Sequence, residues 1–322
     1  VMAIATSLMA PVALRYVLKR VEIGEEEKER LKKEELESES LVADIHRVLL
    51  PVRARKPSDD MQNEIQMTEA KILELLGQDT DLSLTLISIV DEEKKSQCEK
   101  YLNQLASRFK IKEILTKVVV SDRPGDVILD ESKKDYDLII LGATKQSDDS
   151  NHLFSPIVDF ITRFAPCPTM IVKADEMHES WSPQRILVPT NGSRASRNAA
   201  ELAFFIARPD QSKEVLALNV ITDDTSPNHY VKNLQVQNKN LFAHEMVNEL
   251  KELGTAFGVA TEALVKWGNT PEEVIHDVSV QNRMDLIIVG TNIRPGSSRL
   301  YLGPRVENII QRSDCPVIVF NT

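Results

Sequence analysis

The hexapeptide DLIILG, residues Asp137–Gly142, recurs almost unchanged as DLIIVG, residues Asp285–Gly290. The two copies lie 148 residues apart (285 − 137), and the dipeptide Cys-Pro at Cys167 recurs at Cys315 with the same spacing. The pentapeptide RVLLP, residues Arg47–Pro51, has a counterpart in RILVP 138 residues later (185 − 47). Matches that keep their order along the chain indicate a duplicated unit.

Each unit alternates short apolar runs with segments whose apolar residues recur at helical spacing. In the second unit this pattern predicts strands over residues 185–189, 214–221, 260–267, 285–290 and 315–320, and helices over residues 196–207, 241–258, 271–281 and 304–313. We expect the second of these helices to be broken near Gly254. Apolar strands separated by helices indicate a parallel sheet covered on both faces. The predicted fold class is α/β, with two tandem doubly wound domains of five parallel strands, over residues 45–175 and 183–322.

The bulk composition excludes several classes of function. The chain has 322 residues, 27% of them charged, and a formal net charge of −10. Nucleic-acid binding needs clustered Lys and Arg, so we expect no nucleic-acid partner. The three cysteines and six histidines show no metal-ligand spacing, and no catalytic nucleophile or acid–base pair stands out. We therefore expect no metal site, no catalytic residues and no enzymatic activity.

The N-terminal end differs in composition from the rest of the chain. Residues Val1–Val17 are almost wholly apolar, and Lys19 and Arg20 follow them. Basic residues after such a run indicate the end of a transmembrane helix that emerges into the cytoplasm. Because the first residue is not Met, we expect the sequence to begin within a longer protein. We assign residues 1–20 to the last transmembrane helix and residues 21–44, which mix both charge signs, to a solvated linker.

The turn after the first strand of the second unit carries a family resemblance. The sequence Pro189-Thr190-Asn191-Gly192-Ser193 resembles the Pro-hydrophobic-Asp-Gly-Ser turn of universal stress proteins. The resemblance spans residues 46–174 and 184–322, and it implies a Rossmann-like fold for both units. In that family, the aspartate of the turn and a valine on the second strand contact the adenosine of a bound nucleotide. The corresponding residues in this chain are Asn191 and Val220.

The loop after the fourth strand of the second unit, GTNIRPGSSRLYLGP, resembles the family's phosphate-binding motif Gly-x2-Gly-x9-Gly-Ser/Thr in part. Gly290 and Gly303 match its first and last glycines, whereas Ile293 and Pro304 replace the second glycine and the Ser/Thr. Proline has neither an N–H nor a hydroxyl to offer a phosphate. The resemblance therefore implies weak binding of AMP or ATP, more through the adenosine than through the phosphates. The candidate nucleotide-binding residues are Asn191, Gly192, Ser193, Val220, Gly290, Gly296, Ser297, Ser298 and Gly303.

The first unit departs further from the nucleotide-binding motif. Lys145 and Ser155 stand where the second and third glycines would be, and Asp148 and Asp149 add negative charge where a phosphate would lie. The opening turn, Pro51–Arg55, lacks the Asp-Gly-Ser sequence. We expect any nucleotide binding to be confined to the second unit.

The apolar start, the charged linker and the paired units together resemble the C-terminal end of a bacterial monovalent cation:proton antiporter. This resemblance implies a cytoplasmic regulatory tail, with the membrane and an upstream transport domain as partners. A second interpretation is a soluble tandem universal stress protein with a peripheral N-terminal helix. A third is an enzyme that uses ATP through the second unit, which the altered loop disfavours.

The last strands of the units, residues 168–172 and 316–320, carry no charge, and we expect them to pair at their edges, within the chain or in a homodimer.

Removing residues 1–20 tests the membrane assignment. If these residues belong to a membrane helix, the full chain should require detergent to remain dispersed, and residues 21–322 should be monodisperse without it, because the apolar surface is gone. Size-exclusion chromatography of both proteins with and without detergent measures the difference. A full chain that stays monomeric without detergent would contradict the assignment.

Overall fold

The computed structural model describes residues 40–53, 68–78, 81–143, 154–174, 181–222, 229–292, 302 and 304–322. The elements of the first half are β1 (Arg47–Pro51), α1 (Thr68–Leu76), β2 (Ser83–Val90), a 3-10 turn (Glu92–Lys94), α2 (Lys95–Ala106), β3 (Glu113–Val120), α3 (Pro124–Ser132), β4 (Leu138–Ala143), α4 (Pro156–Phe164) and β5 (Thr169–Lys173). Those of the second half are β6 (Arg185–Pro189), α5 (Arg194–Ala207), β7 (Glu214–Thr222), α6 (His229–Ala256), β8 (Ala260–Gly268), α7 (Pro271–Gln281), β9 (Leu286–Thr291), α8 (Pro304–Arg312) and β10 (Val317–Asn321).

Each half is a doubly wound sheet of five parallel strands, which confirms the predicted fold class. The strands of the first half lie in the order β3-β2-β1-β4-β5, and those of the second half in the order β8-β7-β6-β9-β10. In such a sheet the strand order reverses at the first strand, which leaves a crevice at the carboxyl ends of the strands. The crevices therefore lie between β1 and β4 and between β6 and β9.

The two halves share one ten-stranded sheet because β5 and β10 pair antiparallel. Ile171 pairs with Val319 at the centre, and Lys173 pairs with Val317 at one end. Ile171 and Val319 are equivalent residues of the two units (319 − 171 = 148). The pairing is therefore self-complementary about an approximate two-fold axis, like an isologous interface. The edge pairing expected of the last strands is thus formed within the chain.

A continuous apolar core joins the halves on one face of the sheet. It includes Ile128 of α3, Ile161 of α4, Ile275 of α7 and Ile309 of α8, together with inward-facing residues of the strands. Right-handed crossovers place α1, α2, α5 and α6 on the opposite face, where α1 packs against α5. Hydrogen bonds within the sheet, the shared apolar core on one face and the contact of α1 with α5 on the other therefore hold the two units together.

The prediction of a break in the helix near Gly254 was wrong. Helix α6 runs without interruption from His229 to Ala256, so it also begins earlier than the apolar spacing indicated. Close packing explains the glycine, because a Cβ at Gly254 would lie 2.1 Å from Thr261 Oγ1 and 2.9 Å from Phe204 Cε1. The cost of a mid-helix glycine, about 1 kcal/mol relative to alanine, is offset by that close approach.

The predicted membrane segment, residues 1–20, lies outside the described residues, as do residues 21–39 of the predicted linker. In the part of the chain that the structure describes, no helix combines the length and apolar character needed to cross a membrane. The folded body begins at Ser40, which is buried, and Val42 two residues later is buried as well.

Phe320 tests the importance of the shared strands. Its side chain on β10 is 0% exposed, so Phe320→Ala should leave a cavity and lower the free energy of unfolding by about 3–5 kcal/mol. Phe164, which is 55% exposed at the end of α4, is the control, and Phe164→Ala should cost less than about 1 kcal/mol. Chemical denaturation followed by circular dichroism measures both. Equal losses for the two variants would contradict the prediction.

Candidate functional site

The carboxyl ends of β6, β7 and β9 meet beside the amino end of α5. The turn Thr190–Ser193 connects β6 to α5 at this edge of the sheet. The N–H of Thr190 donates to the carbonyl of Leu218 (2.8 Å), so the turn starts as a continuation of the pairing between β6 and β7. The predicted site therefore lies at the switch point of the second sheet, where ligands bind in folds of this class.

The turn holds its shape through its own hydrogen bonds. Gly192 has a φ of +74°, a conformation that favours glycine. Its N–H donates to Thr190 Oγ1 (3.2 Å), and the N–H of Ser193 donates to Asn191 Oδ1 (3.1 Å). Ser193 Oγ caps α5 by accepting from the N–H of Ser196 (3.3 Å). Three N–H groups that a phosphate could otherwise meet are thus already bonded within the turn.

Two residues that the sequence analysis missed also contact this turn. Asn219 Nδ2 donates to the carbonyl of Thr190 (2.8 Å) and lies 3.6 Å from Met246 Sδ. A Cβ at Gly192 would lie 3.0 Å from both Sδ and Cε of Met246, so the thioether of α6 covers the turn. Asn219 could have been recognised from the sequence, because it is a polar residue within the otherwise apolar end of the run EVLALNVI. Met246 could not have been recognised in this way, because its position over the turn depends on how α6 packs.

The structure brings part of the candidate set to this edge. Asn191, Gly192 and Ser193 form the turn itself. Val220 follows Asn219 on β7, and because successive strand residues face opposite ways, its side chain packs against the core on the α7 side. The remaining members of the predicted phosphate loop lie outside the described residues, namely Gly296, Ser297, Ser298 and Gly303.

Gly290 has a structural role that the sequence did not reveal. A Cβ there would lie 1.9 Å from the carbonyl oxygen of Ala195 and 2.8 Å from the backbone nitrogen of Ser196. The first turn of α5 therefore packs directly on the end of β9. This glycine is required by the approach of one backbone to another, whether or not the loop that follows binds a phosphate.

The corresponding edge of the first unit is closed by a carboxylate. A Cβ at Gly142, the equivalent of Gly290, would lie 1.9 Å from Oε1 of Glu69 on α1. A negative group in contact with the end of β4 opposes a phosphate by Coulomb repulsion. Arg53 also replaces the Asn191 of the second turn (191 − 138 = 53), so the two crevices differ in chemistry both at the turn and at the end of β4.

A family model described as the universal stress protein family matches residues 2–173 and 183–321, which is most of the chain. The chain belongs to the universal stress protein family. The universal stress protein E homolog of Haemophilus influenzae is 25% identical over 292 residues, covering 83% of this chain and 90% of that protein. A universal stress protein of Methanocaldococcus jannaschii is 28% identical over 144 residues, covering 42% of this chain and 81% of the relative.

Solved universal stress protein structures share this tandem architecture. A putative universal stress protein from Pseudomonas aeruginosa superposes with a TM-score of 0.61 at 14% identity, covering 87% of this chain and 94% of that one. A universal stress protein from Archaeoglobus fulgidus superposes with a TM-score of 0.55 at 21% identity, covering 86% and 98%. At these identities the similarity shows the fold.

The equivalent cysteines of the two universal stress protein units are partly buried before the last strands. Burial, and to a lesser extent the charge of Asp137, raises the pKa of the Cys167 thiol to about 11. Burial also raises the pKa of Cys315, whose sulfur lies 3.5 Å from Ser313 Oγ. Because the thiolate is the reactive form, both side chains are poor nucleophiles at neutral pH.

Gly290→Ala tests the packing of α5 on β9. The added methyl group would meet backbone atoms that cannot rotate away, so the variant should lose about 1–3 kcal/mol of unfolding free energy. Gly77→Ala is the matched control. Its Cβ would have no neighbour nearer than the carbonyl of Leu73 at 3.3 Å, and its cost should stay below about 1 kcal/mol. Thermal unfolding of both variants measures the difference, and a neutral Gly290→Ala would contradict the packing argument.

Proposed function

We propose that the second unit binds an adenine nucleotide weakly, mainly through its adenosine, and that the tandem pair acts as a regulatory module. The observation that carries this proposal is the formed turn of Asn191, Gly192 and Ser193 at the switch point beside β7. Asn191 is exposed, and its Nδ2 has no hydrogen-bond partner among the described residues. An amide donor at that position suits a ring nitrogen or a ribose hydroxyl.

The same turn is poorly equipped for a triphosphate. The N–H groups of Gly192, Ser193 and Ser196 are already bonded within the turn and the first turn of α5, so these three offer little to anionic oxygens. Pro304, the first residue of α8, removes another donor where the family motif has Ser or Thr. One missing hydrogen bond to a charged oxygen costs about 1.5–3 kcal/mol, or roughly ten- to a hundredfold in affinity. AMP should therefore lose less affinity than ATP.

We propose binding without catalysis. The support is that the turn and its contacts Asn219 and Met246 offer a ligand amides, hydroxyls and a thioether, none of which is a general acid or base at neutral pH. Hydrolysis of the nucleotide by the purified chain, measured as phosphate release, would contradict this part of the proposal.

We further propose that the pair is the cytoplasmic tail of a monovalent cation:proton antiporter. The support is the apolar run Val1–Val17, the basic residues after it and the mixed-charge segment up to the folded body at Ser40. The partners would be the membrane and an upstream transport domain, and the intrachain pairing of β5 with β10 favours a pseudo-dimer over a homodimer. The reading frame before Val1 decides this, because an antiporter requires many further apolar segments there.

Calorimetry on the full chain tests nucleotide binding. AMP should bind more tightly than ATP, and the double variant Ile293→Gly, Pro304→Ser should strengthen ATP binding by roughly tenfold or more, because it restores a donor and widens the approach. AMP binding should change less.

Lys145→Gly, which restores a motif glycine in the first unit, is the control and should change neither affinity. Tight ATP binding by the unmodified chain, or a change of affinity in Lys145→Gly, would show that the phosphates bind at a different loop.

A further inference from the structure

Helix α5 carries a buried carboxylate that the candidate site does not use. Glu201 is 5% exposed within the run ELAFFIA, whose other members are apolar. Ser40, 1% exposed and 161 residues earlier in the chain, donates from Oγ to Glu201 Oε2 (2.8 Å). The folded body therefore begins with a residue of the predicted linker that is hydrogen-bonded to a helix of the second unit.

The surroundings of Glu201 form a small polar network. Arg197 Nε lies 3.5 Å from Glu201 Oε1, and Arg197 Nη1 donates to Glu249 Oε1 on α6 (3.2 Å). Burial raises the pKa of Glu201, although Ser40 and Arg197 oppose the shift. A buried carboxylate costs free energy unless its partners are in place. Loss of the Ser40 hydroxyl would therefore weaken the attachment of the first residues of the folded body to α5.

The fold itself does not require this carboxylate. Counting back from the last residues of the equivalent helices (207 − 76 = 131), the counterpart of Glu201 in the first unit is Ala70 (201 − 131). The first unit forms the same helix with an alanine there. The carboxylate is thus specific to the second unit, the unit with the formed turn.

Helix α5 connects Glu201 to the candidate site. Ser193 is its N-cap, and Glu201 follows eight residues later, about 12 Å along a rigid helix at 1.5 Å per residue. A single helix therefore joins the turn to the carboxylate that bonds Ser40. Whatever moves the amino end of this helix also moves the carboxylate that holds Ser40.

We propose that the Ser40–Glu201 hydrogen bond is a latch through which α5 couples the nucleotide site of the second unit to the chain that precedes Ser40. The coupling rests on the proposed function, because its input is a nucleotide in the turn. A nucleotide that fixes the turn keeps the latch closed, and an open latch weakens nucleotide binding by the same factor, since coupling between two sites is reciprocal.

A pair of serine variants of the full chain tests the latch, with amide hydrogen exchange of residues 40–46 as the readout. Ser40→Ala removes the hydroxyl that bonds Glu201 and accepts from the N–H of Ala43 (3.4 Å). Ser132→Ala is the matched control, because Ser132 is also 1% exposed but donates within α3 to the carbonyl of Leu129 (2.7 Å).

Ser40→Ala should accelerate exchange in this segment by about fivefold or more, and Ser132→Ala should leave it unchanged. Thermal unfolding of each variant establishes that it is folded. Unchanged exchange in a folded Ser40→Ala protein would overturn the latch.

A second pair tests the connection through α5 without any ligand. Ser193→Ala removes the N-cap of α5, and Ser155→Ala removes the N-cap of α4, where Ser155 Oγ accepts from the N–H of Val158 (3.4 Å). Ser193→Ala should accelerate exchange both in the first turn of α5 and in residues 40–46, and Ser155→Ala should affect neither. If the first turn of α5 loosens while residues 40–46 exchange at the wild-type rate, the latch is not coupled to the turn.

Calorimetry with AMP completes the test. Ser40→Ala should weaken AMP binding measurably, with the factor by which AMP slows exchange of residues 40–46 in the wild-type chain as the upper limit. Equal AMP affinities of the wild type and Ser40→Ala would overturn the coupling. If the wild-type chain does not bind AMP, the proposed function is wrong, and the two serine pairs still decide whether α5 carries the latch.

Discussion

The antiparallel pairing of β5 with β10 is the interaction on which the rest of the architecture depends. Each unit alone would expose an apolar last strand, and the pairing removes both edges at once. It is centred on the equivalent residues Ile171 and Val319, so duplication of one unit supplies both sides of the interface. The outer edges that remain, β3 and β8, carry charges such as Lys117 and Lys266, which oppose further pairing. The pairing also places α1 beside α5, and Ser40, which precedes the first unit, bonds Glu201 of α5.

Within this symmetric frame the two units have diverged in chemistry at equivalent positions. In the first unit, Gly125 of α3 packs under the ring of Phe160, whereas in the second unit Glu272 accepts a hydrogen bond from Asn308 (3.2 Å) at the same helix contact. Elsewhere in the first unit, burial would raise the pKa of Glu131, but hydrogen bonds from two lysines and a tyrosine outweigh it and lower the pKa to about 2. The backbone tolerates these exchanges, and the carboxylates of Glu131 and Glu272 each accept a hydrogen bond from a neighbouring side chain.

The repeat offsets and the apolar runs were sufficient to predict the fold and the location of the switch point, because apolar patterning is local and crossovers between parallel strands are right-handed as a rule. The length of α6 was not predictable, since its break was inferred from Gly254 and the compensating contact with Phe204 is remote in sequence. The sequence analysis placed Gly290 at the correct edge of the sheet, as part of a phosphate-binding loop. It did not reveal that the backbone of Ala195 packs against this glycine, because that contact depends on the tertiary fold. The hydrogen bond between Ser40 and Glu201 could not be predicted from the sequence, because neither residue belongs to a motif.

The chemistry that distinguishes the second unit is concentrated on one helix. At its amino end, α5 has a turn whose N–H groups are bonded internally, which fixes the shape of the crevice but leaves fewer donors for anionic oxygens. In its middle it carries Glu201, and its first turn rests on Gly290 of β9. The equivalent helix of the first unit has Ala70 in place of that carboxylate and extends Glu69 over its own strand-end glycine. A helix with contacts at the crevice, on the central sheet and at the start of the folded body is placed to respond to changes at all three.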